Sequence, residues 1–403
     1  MPYVVVMTLS VIMYKRLGIS NTDIALYTSW LYLPWVIKPF WSPFVDIIKT
    51  KRWWINSMQL LIGAGFSGVA LLLPVPFYFQ ATLAVLWLVA FSSATHDIAA
   101  DGFYMLALDK TKQSFFVGIR STFYRLAMIT GQGLLIILAG SLERITGNIK
   151  LAWSITFFVL SGFFILLYVY HRFVLPVPTS DISAQSNNAS GILREFGRTF
   201  VSFFQKKQIV VAIAFMLLYR LGEAMLVKMA SPFMLDDRAS GGLALETEYV
   251  GWIYGTVGVI ALTLGGIIGG IAVARKGLKY WLWPMALSIT LPNAAYVYLS
   301  LFTPDNLLYI NTAVAIEQFG YGFGFTAYML YLIQFSEGKN QTAHYAICTG
   351  FMALGMMLPG MIAGWLQELL GYTHFFVVIL LCTIPTLAVI PFLKIKNKED
   401  IES

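Results

Sequence analysis

Twelve long apolar segments, separated by short polar turns and divided in the middle by one longer polar stretch, constrain this chain more than any other feature. They fall near 1–14, 23–42, 53–73, 80–107, 114–141 and 150–171, then 208–235, 249–273, 279–302, 306–335, 341–368 and 372–393. A bilayer core of about 30 Å is crossed by a helix of about 20 apolar residues, and all but the first segment reach that length. Composition agrees: 58% of the residues are apolar and 12% charged, against roughly half and a quarter in a soluble domain. A soluble fold of that balance would have almost no polar skin, which excludes cytosolic enzymes, disordered chains and nucleic-acid binders. The expected fold class is an all-α polytopic membrane protein.

The first segment is the exception. As a helix, residues 1–14 rise only about 21 Å, so helix 1 is expected to be truncated at the N-terminus, with part of it preceding Met1. No cleavable signal peptide is visible, because the segment runs into Lys15 and Arg16 without a small-residue cleavage site. The polar stretch from Arg172 to Lys207 carries PVPTSDISAQSNNASG, the composition of a linker. It divides the chain into an N-terminal six-helix bundle (1–171), a linker (172–207) and a C-terminal six-helix bundle (208–403). The halves echo one another. Tyr104-Met105-Leu106 in the fourth segment returns as Tyr328-Met329-Leu330 in the tenth. The loops SPFVDIIKTKRWW and GGIAVARKGLKYW share a small, basic, aromatic order, and two matches in corresponding places point to duplication.

Seventeen lysines and arginines fall in loops on the N-terminal side of the membrane, and five (Lys15, Arg16, Arg144, Lys150 and Arg238) on the other. Positive loops stay in the cytoplasm, so both termini and the linker of this multi-pass protein are expected there. The net charge of +7 follows from the same bias and implies no anionic macromolecular partner. Cys348 and Cys382 both lie in apolar runs, which indicates neither a disulfide framework nor a metal site.

The informative charges are those left inside the segments: Lys38, Arg120, Arg125, Arg220, Lys228, Asp97, Asp101, Glu223 and Glu317, with His96 and His344. An ionised side chain near the bilayer centre costs at least about 2.5 kcal/mol, so these groups need partners or water. Measured from the turn between the fourth and fifth segments, Asp101 and Arg120 are each roughly 9 to 10 Å deep, Asp97 and Arg125 about 17 Å. Asp97 and Asp101, four apart, share a face, which predicts an Asp97, Asp101, Arg120, Arg125 cluster. Arg220 and Glu223 share a face of the seventh segment, and Glu317 lies near the midplane of the tenth. Lys228 and Arg120 complete this charge network. Charges from both halves at one depth are where a transporter binds substrate and ion; structural staples between helices are the alternative.

Asp97 and Glu317 are the first choices for proton carriage, with Asp101, Glu223 and His96 beside them, since burial and nearby arginines act in opposite senses on a carboxyl proton. Arg125 and Arg220 can grip an anionic group bidentately. Tyr104, Tyr124, Tyr321 and Tyr328 are candidates for stacking on cargo. His344 reads as an interhelical hydrogen-bonding group. The glycines of GGIIGG in the eighth segment, and Gly355, Gly360 and Gly364 in the eleventh, allow close helix packing or a gating hinge. No metal or cofactor constellation is present.

Several stretches resemble the major facilitator superfamily and, within it, the AmpG-type muropeptide permeases and their acetyl-CoA transporter relatives. They are PYVVVMTLSVIMYKRLGIS, IKPFWSPFVD, ATHDIAADGFYMLALD, YRLAMITGQG and LPGMIAGWLQELLGY. The resemblance implies two six-helix bundles around a cavity lined by helices 1, 4, 7 and 10, working by alternating access. The paired carboxylates of the AmpG motif fall on Asp97 and Asp101, and its helix-5 arginine on Arg125. Asp46, Lys49, Lys51 and Arg52 resemble the superfamily's loop between helices 2 and 3, whose role is to latch the cytoplasmic gate. The sequence departs from the motif at Tyr104 and Leu106, where AmpG has a lysine and a further aspartate, and at His96, where it has a glutamine.

The expected function is secondary active transport: proton-coupled import of a polar or anionic solute, such as a muropeptide-like sugar-peptide, by a monomer in the lipid bilayer. The expected partners are a small-molecule substrate and protons, with no nucleic acid, no cofactor and no enzymatic activity. Other cargoes for the same fold are a siderophore, a drug-like molecule or an acetyl-CoA-like compound; a non-transporting receptor is the reading from another class.

Overall fold

The computed structural model describes residues 1–108, 110–179, 181, 189–338 and 340–395. Among them twelve helices follow the apolar segments closely. In the first half they are α1 (2–16), α2 (21–48), α3 (Lys51–Leu72), α4 (Tyr78–Ala107), α5 (110–146) and α6 (Ile149–Val174). The second half has α7 (Ile209–Leu235), α8 (Thr247–Lys276), α9 (Leu278–Phe302), α10 (Leu307–Ser336), α11 (341–370) and α12 (372–392). No strand occurs among the described residues. They form two six-helix bundles.

Local chemistry sets the boundaries. Helix starts leave backbone N–H groups without intrahelical partners, and Ser20, Thr50, Asn148 and Asn306 satisfy them by accepting from the amides of Asp23, Trp53, Leu151 and Leu308. Gly147 ends α5 with φ 63°, and Gly371, at φ 72°, separates α11 from α12 inside one apolar stretch. The left-handed region costs an L side chain energy that glycine avoids. By length and composition alone, eight stretches among the described residues can cross a membrane, the last covering both α11 and α12. The helices outside that set are α1, which is short, α2, which breaks at Leu31–Tyr32 and contains Pro39 and Pro43, and α10, whose glycines and tyrosines dilute its hydropathy.

An additional helix, Ala189–Phe204, lies in the linker. Its Phe200 ring packs on Phe40 at the end of α2, 5.2 Å between centroids. His344 Nε2, at the start of α11, lies 2.9 Å from Ser202 Oγ and 3.3 Å from the Thr199 carbonyl oxygen. His344 therefore holds the linker helix to the C-terminal bundle, a structural role. The linker's first residues fold back over the loop between α2 and α3: Asp181 accepts from the amides of Lys51 and Arg52.

The bundles meet most closely at the end remote from the linker. A Cβ at Gly255 would lie 2.0 Å from Gly133 Cα, so α5 and α8 cross backbone to backbone. A Cβ at Gly364 would lie 1.9 Å from the Asn21 carbonyl oxygen, which brings α11 against α2 in the same way. Only glycine permits such approach. In GGIIGG, by contrast, Gly265 and Gly269 pack on Phe319, Phe323 and Thr326 of α10 inside one bundle; these are close-packing residues.

Candidate functional site

Ion pairs and polar bonds close the end opposite the linker. Lys15 pairs with Asp236, Arg16 with Glu143 at 3.0 Å and Arg144 with Glu248 at 3.2 Å. Glu143 also accepts from Thr247 Oγ1 of the other bundle, and Glu368 accepts from Thr22 Oγ1. Asn21, Gln367, Tyr372 and Asp236 form a buried hydrogen-bonded set beneath them. A shallow cavity of about 420 Å³ outside this latch is lined by Lys15, Asn21, Asp236 and Glu368. Sequence reasoning counted Lys15, Arg16 and Arg144 only as loop charges and missed their pairing.

Toward the linker end the charged side chains are accessible. Asp101 on α4 and Arg120 on α5 form the expected ion pair, and their side chains are 46% and 54% exposed. The Arg120 guanidinium also stacks on Tyr104, 5.4 Å from its centroid. Deeper in, Tyr124 is 59% exposed yet lies within electrostatic reach of Tyr3, Asp97 and Arg220 from three other helices. A tyrosine that accessible, within reach of groups from both bundles, faces the space between them.

Asp97 hydrogen-bonds the Trp35 indole, Nε1 to Oδ2 3.3 Å. Trp35 meets Tyr3 edge-on at 5.1 Å, and Tyr3 meets Tyr32 at 6.1 Å. From the other bundle comes Arg220, 8% exposed, which donates from Nη2 to the Tyr321 hydroxyl at 2.5 Å. Its guanidinium lies over the Tyr321 and Phe325 rings at 5.1 and 4.9 Å, while its Nε has no hydrogen-bond partner. Such an arginine stays charged and keeps donors in hand. Glu223 and Glu317, 3% and 2% exposed, lie within reach of one another behind it.

Several expectations fall differently. No ion pair joins Asp97 to Arg125 among the described residues; Arg125 is half-buried on α5. Arg120 and Arg125 are five residues apart, about 140° around a helix, so one face cannot hold both. His96 lines a separate cavity of about 400 Å³ between α3, α4 and α6, with Gln59 and His171, whose side chains are bonded. Tyr328 is fully buried and donates to the Met216 carbonyl at 2.7 Å, so it packs α10 on α7 instead of facing cargo. Lys228, buried, donates to Thr28 Oγ1 at 2.9 Å and lies over Tyr32, a link between bundles near the closed end. Arg52 donates to the carbonyls of Arg172 and Leu175, and Lys51 is buried while Lys49 is exposed. The Asp46 side chain lies outside the described residues. Tyr3, Tyr32, Trp35 and Phe325 were not singled out from sequence; their signal was an aromatic residue one or two turns from an in-membrane charge.

Two six-helix bundles, joined by ion pairs at one end and bringing Tyr3, Asp97 and Arg220 within electrostatic reach of Tyr124 between them, define a multi-pass membrane transporter. The model of the Major Facilitator Superfamily matches residues 2–341, and the chain belongs to that superfamily. Among curated relatives it is 27% identical to the putative transporter AmpG 4 of Rickettsia conorii, over 98% of this chain and 94% of that protein. It is 24% identical to the anhydromuropeptide permease of Escherichia coli, over 88% of this chain and 69% of that protein. The same fold is seen in the inward-open xylose transporter XylE of E. coli, with TM-score 0.69, 12% identity, and 99% and 95% of the two chains covered. The nucleoside transporter NupG aligns with TM-score 0.67, 15% identity, and 96% and 94% covered.

Proposed function

We propose that the chain is a proton-coupled importer of an anionic sugar-peptide of the anhydromuropeptide kind, working by alternating access in the inner membrane of a bacterium. The observation that carries this reading is Arg220. It is a permanent cation held by aromatic rings and a phenol, with no ion-pair partner among the described residues and a free Nε–H. A guanidinium so placed can take a carboxylate or phosphate with charge-assisted hydrogen bonds. Tyr3, Trp35 and Tyr124 supply rings on which sugar faces stack.

Asp97, facing the same space from the first bundle, is the proposed proton carrier, because water reaches it in the open state and the closed state encloses it. The Asp101–Arg120 pair and the loop holding Asp46, Lys49, Lys51 and Arg52 form the gate that must close on the linker side, which the loop charges make the cytoplasmic side. The names of the AmpG relatives support the cargo class.

The test is uptake of labelled anhydromuropeptide into proteoliposomes under an imposed pH gradient. Wild type should accumulate it only with the gradient, Arg220→Gln should abolish uptake, and Asp97→Asn should abolish gradient-driven accumulation while permitting exchange. Wild-type uptake by Arg220→Gln would refute the anion-binding role.

A further inference from the structure

Four helices of the C-terminal bundle bring buried oxygen-bearing side chains within electrostatic reach of one another: Glu223 from α7, Tyr254 from α8, Tyr296 from α9 and Glu317 from α10. Both carboxyls lie within electrostatic reach of each other and of both phenols, and the two phenol hydroxyls are hydrogen-bonded. The backbone is irregular on two sides of the cluster. Helix α8 widens into a π turn at Ile253–Gly258, and α9 tightens into a 3-10 turn at Leu291–Asn293. Inside a membrane such irregularity persists where it lines a site, and π turns gather at functional positions.

The hydrogen bonds do not close. Among the described residues neither carboxylate oxygen of Glu223 has a partner, and Glu317 accepts only from the neighbouring Gln318 Nε2, at 3.0 and 3.1 Å. Asn293, 2% exposed, has neither Oδ1 nor Nδ2 satisfied; it lies one turn before Tyr296, on the same face of α9. Buried polar groups nearly always have partners, and unpartnered ones cost most when charged. Charge does not close either when both acids are ionised: two carboxylates then face one guanidinium, Arg220, which is within reach of Glu223, and one negative charge remains.

We infer that this cluster binds one monovalent metal cation, Na⁺, through the carboxylates of Glu223 and Glu317, Asn293 Oδ1 and a tyrosine hydroxyl oxygen. The residual charge sets the valence, and an all-oxygen donor set is what a hard cation takes. A proton shared between the two carboxyls would supply the charge but leave the Asn293 amide oxygen unanswered. Bound there, the ion ties α7 to α10, the helices that carry Arg220 and Tyr321, and so sets the anion site. Its part in coupling rests on the transport reading above; its binding does not.

Equilibrium binding of ²²Na⁺ to the purified full chain, with choline holding ionic strength constant, tests this. One saturable ion per chain is expected, with affinity weakened about tenfold or more in Glu317→Gln and in Asn293→Ala. A wild-type melting temperature that rises in NaCl over choline chloride at fixed pH is expected as well, and needs no variant to fold. The absence of saturable binding in wild type, or binding unchanged in both variants, would overturn the site. So would a melting temperature that follows pH and is equal in the two salts, the result for a proton-only site. Sodium binding without anhydromuropeptide uptake would leave the site standing and remove the proposed cargo.

Discussion

Lys15, at the end of α1, is ion-paired with Asp236, at the end of α7, and its ammonium also donates to Asn21 Oδ1 at 2.8 Å. One lysine thus joins both bundles at the closed end. The two side chains are 15% and 17% exposed, so solvent screens the pair less than a surface pair. Asp236→Lys should shift the conformational balance away from closure by about 1 kcal/mol, roughly fivefold in population. The exchange Lys15→Asp with Asp236→Lys should restore it. Distances between spin labels on the two bundles report the shift; unchanged distributions in the single variant would show that the latch does not set the balance.

At Gly255 a methyl group has nowhere to go, because the obstacle is backbone of Gly133. Gly255→Ala should hold α5 and α8 apart and leave the end opposite the linker leaky, raising the labelling rate of a cysteine introduced at Ile137. A labelling rate equal to that of the glycine parent would mean the helices can shift at little cost.

Thr28 Oγ1 accepts from Lys228 and donates to the Ile24 carbonyl. Thr28→Val removes the acceptor and strands a buried ammonium, an expected loss of about 1–3 kcal/mol. Adding Lys228→Met should recover most of that, since an apolar side chain of similar length needs no partner. Thermal melting of the single and double variants decides; equal destabilisation in both would place the cost elsewhere.

Asp101 and Arg120 are about half-exposed, and exposed ion pairs contribute about 0–1 kcal/mol. Arg120→Gln should therefore leave the melting temperature nearly unchanged while altering the rate of uptake. A large loss of stability with normal uptake would make the pair a staple between α4 and α5 and not part of a gate.

Much of this architecture was legible in the sequence because burial in a membrane writes itself as length and hydropathy. Most segment boundaries lie within about three residues of a helix end; α2 runs six residues past its segment, to Ile48, and α5 begins four residues before its own and ends five after it. Depth was legible too, since rise per residue is fixed, and it found the Asp101–Arg120 pair. It did not supply azimuth. Arg125 has the same depth as Asp97 but points another way around α5, and His96, one residue from Asp97, points about 100° from it. Tyr328 lies on the face of α10 that carries Tyr321, yet α7 covers it at Met216, a fact of packing between distant segments. The latch pairs, Lys15 with Asp236 and Arg16 with Glu143, join residues more than a hundred positions apart, and nothing local in the chain marks them as partners.

The central claim is that Arg220 holds an anionic group of the cargo, and calorimetric binding of anhydromuropeptide to the purified protein tests it most directly. The acid and its carboxamide differ only in the charge that Arg220 would meet. The account requires binding of the acid and at least about tenfold weaker binding of the carboxamide, a difference of about 1.4 kcal/mol, with the difference lost in Arg220→Gln. Equal affinity of the two forms for the wild-type protein would contradict it.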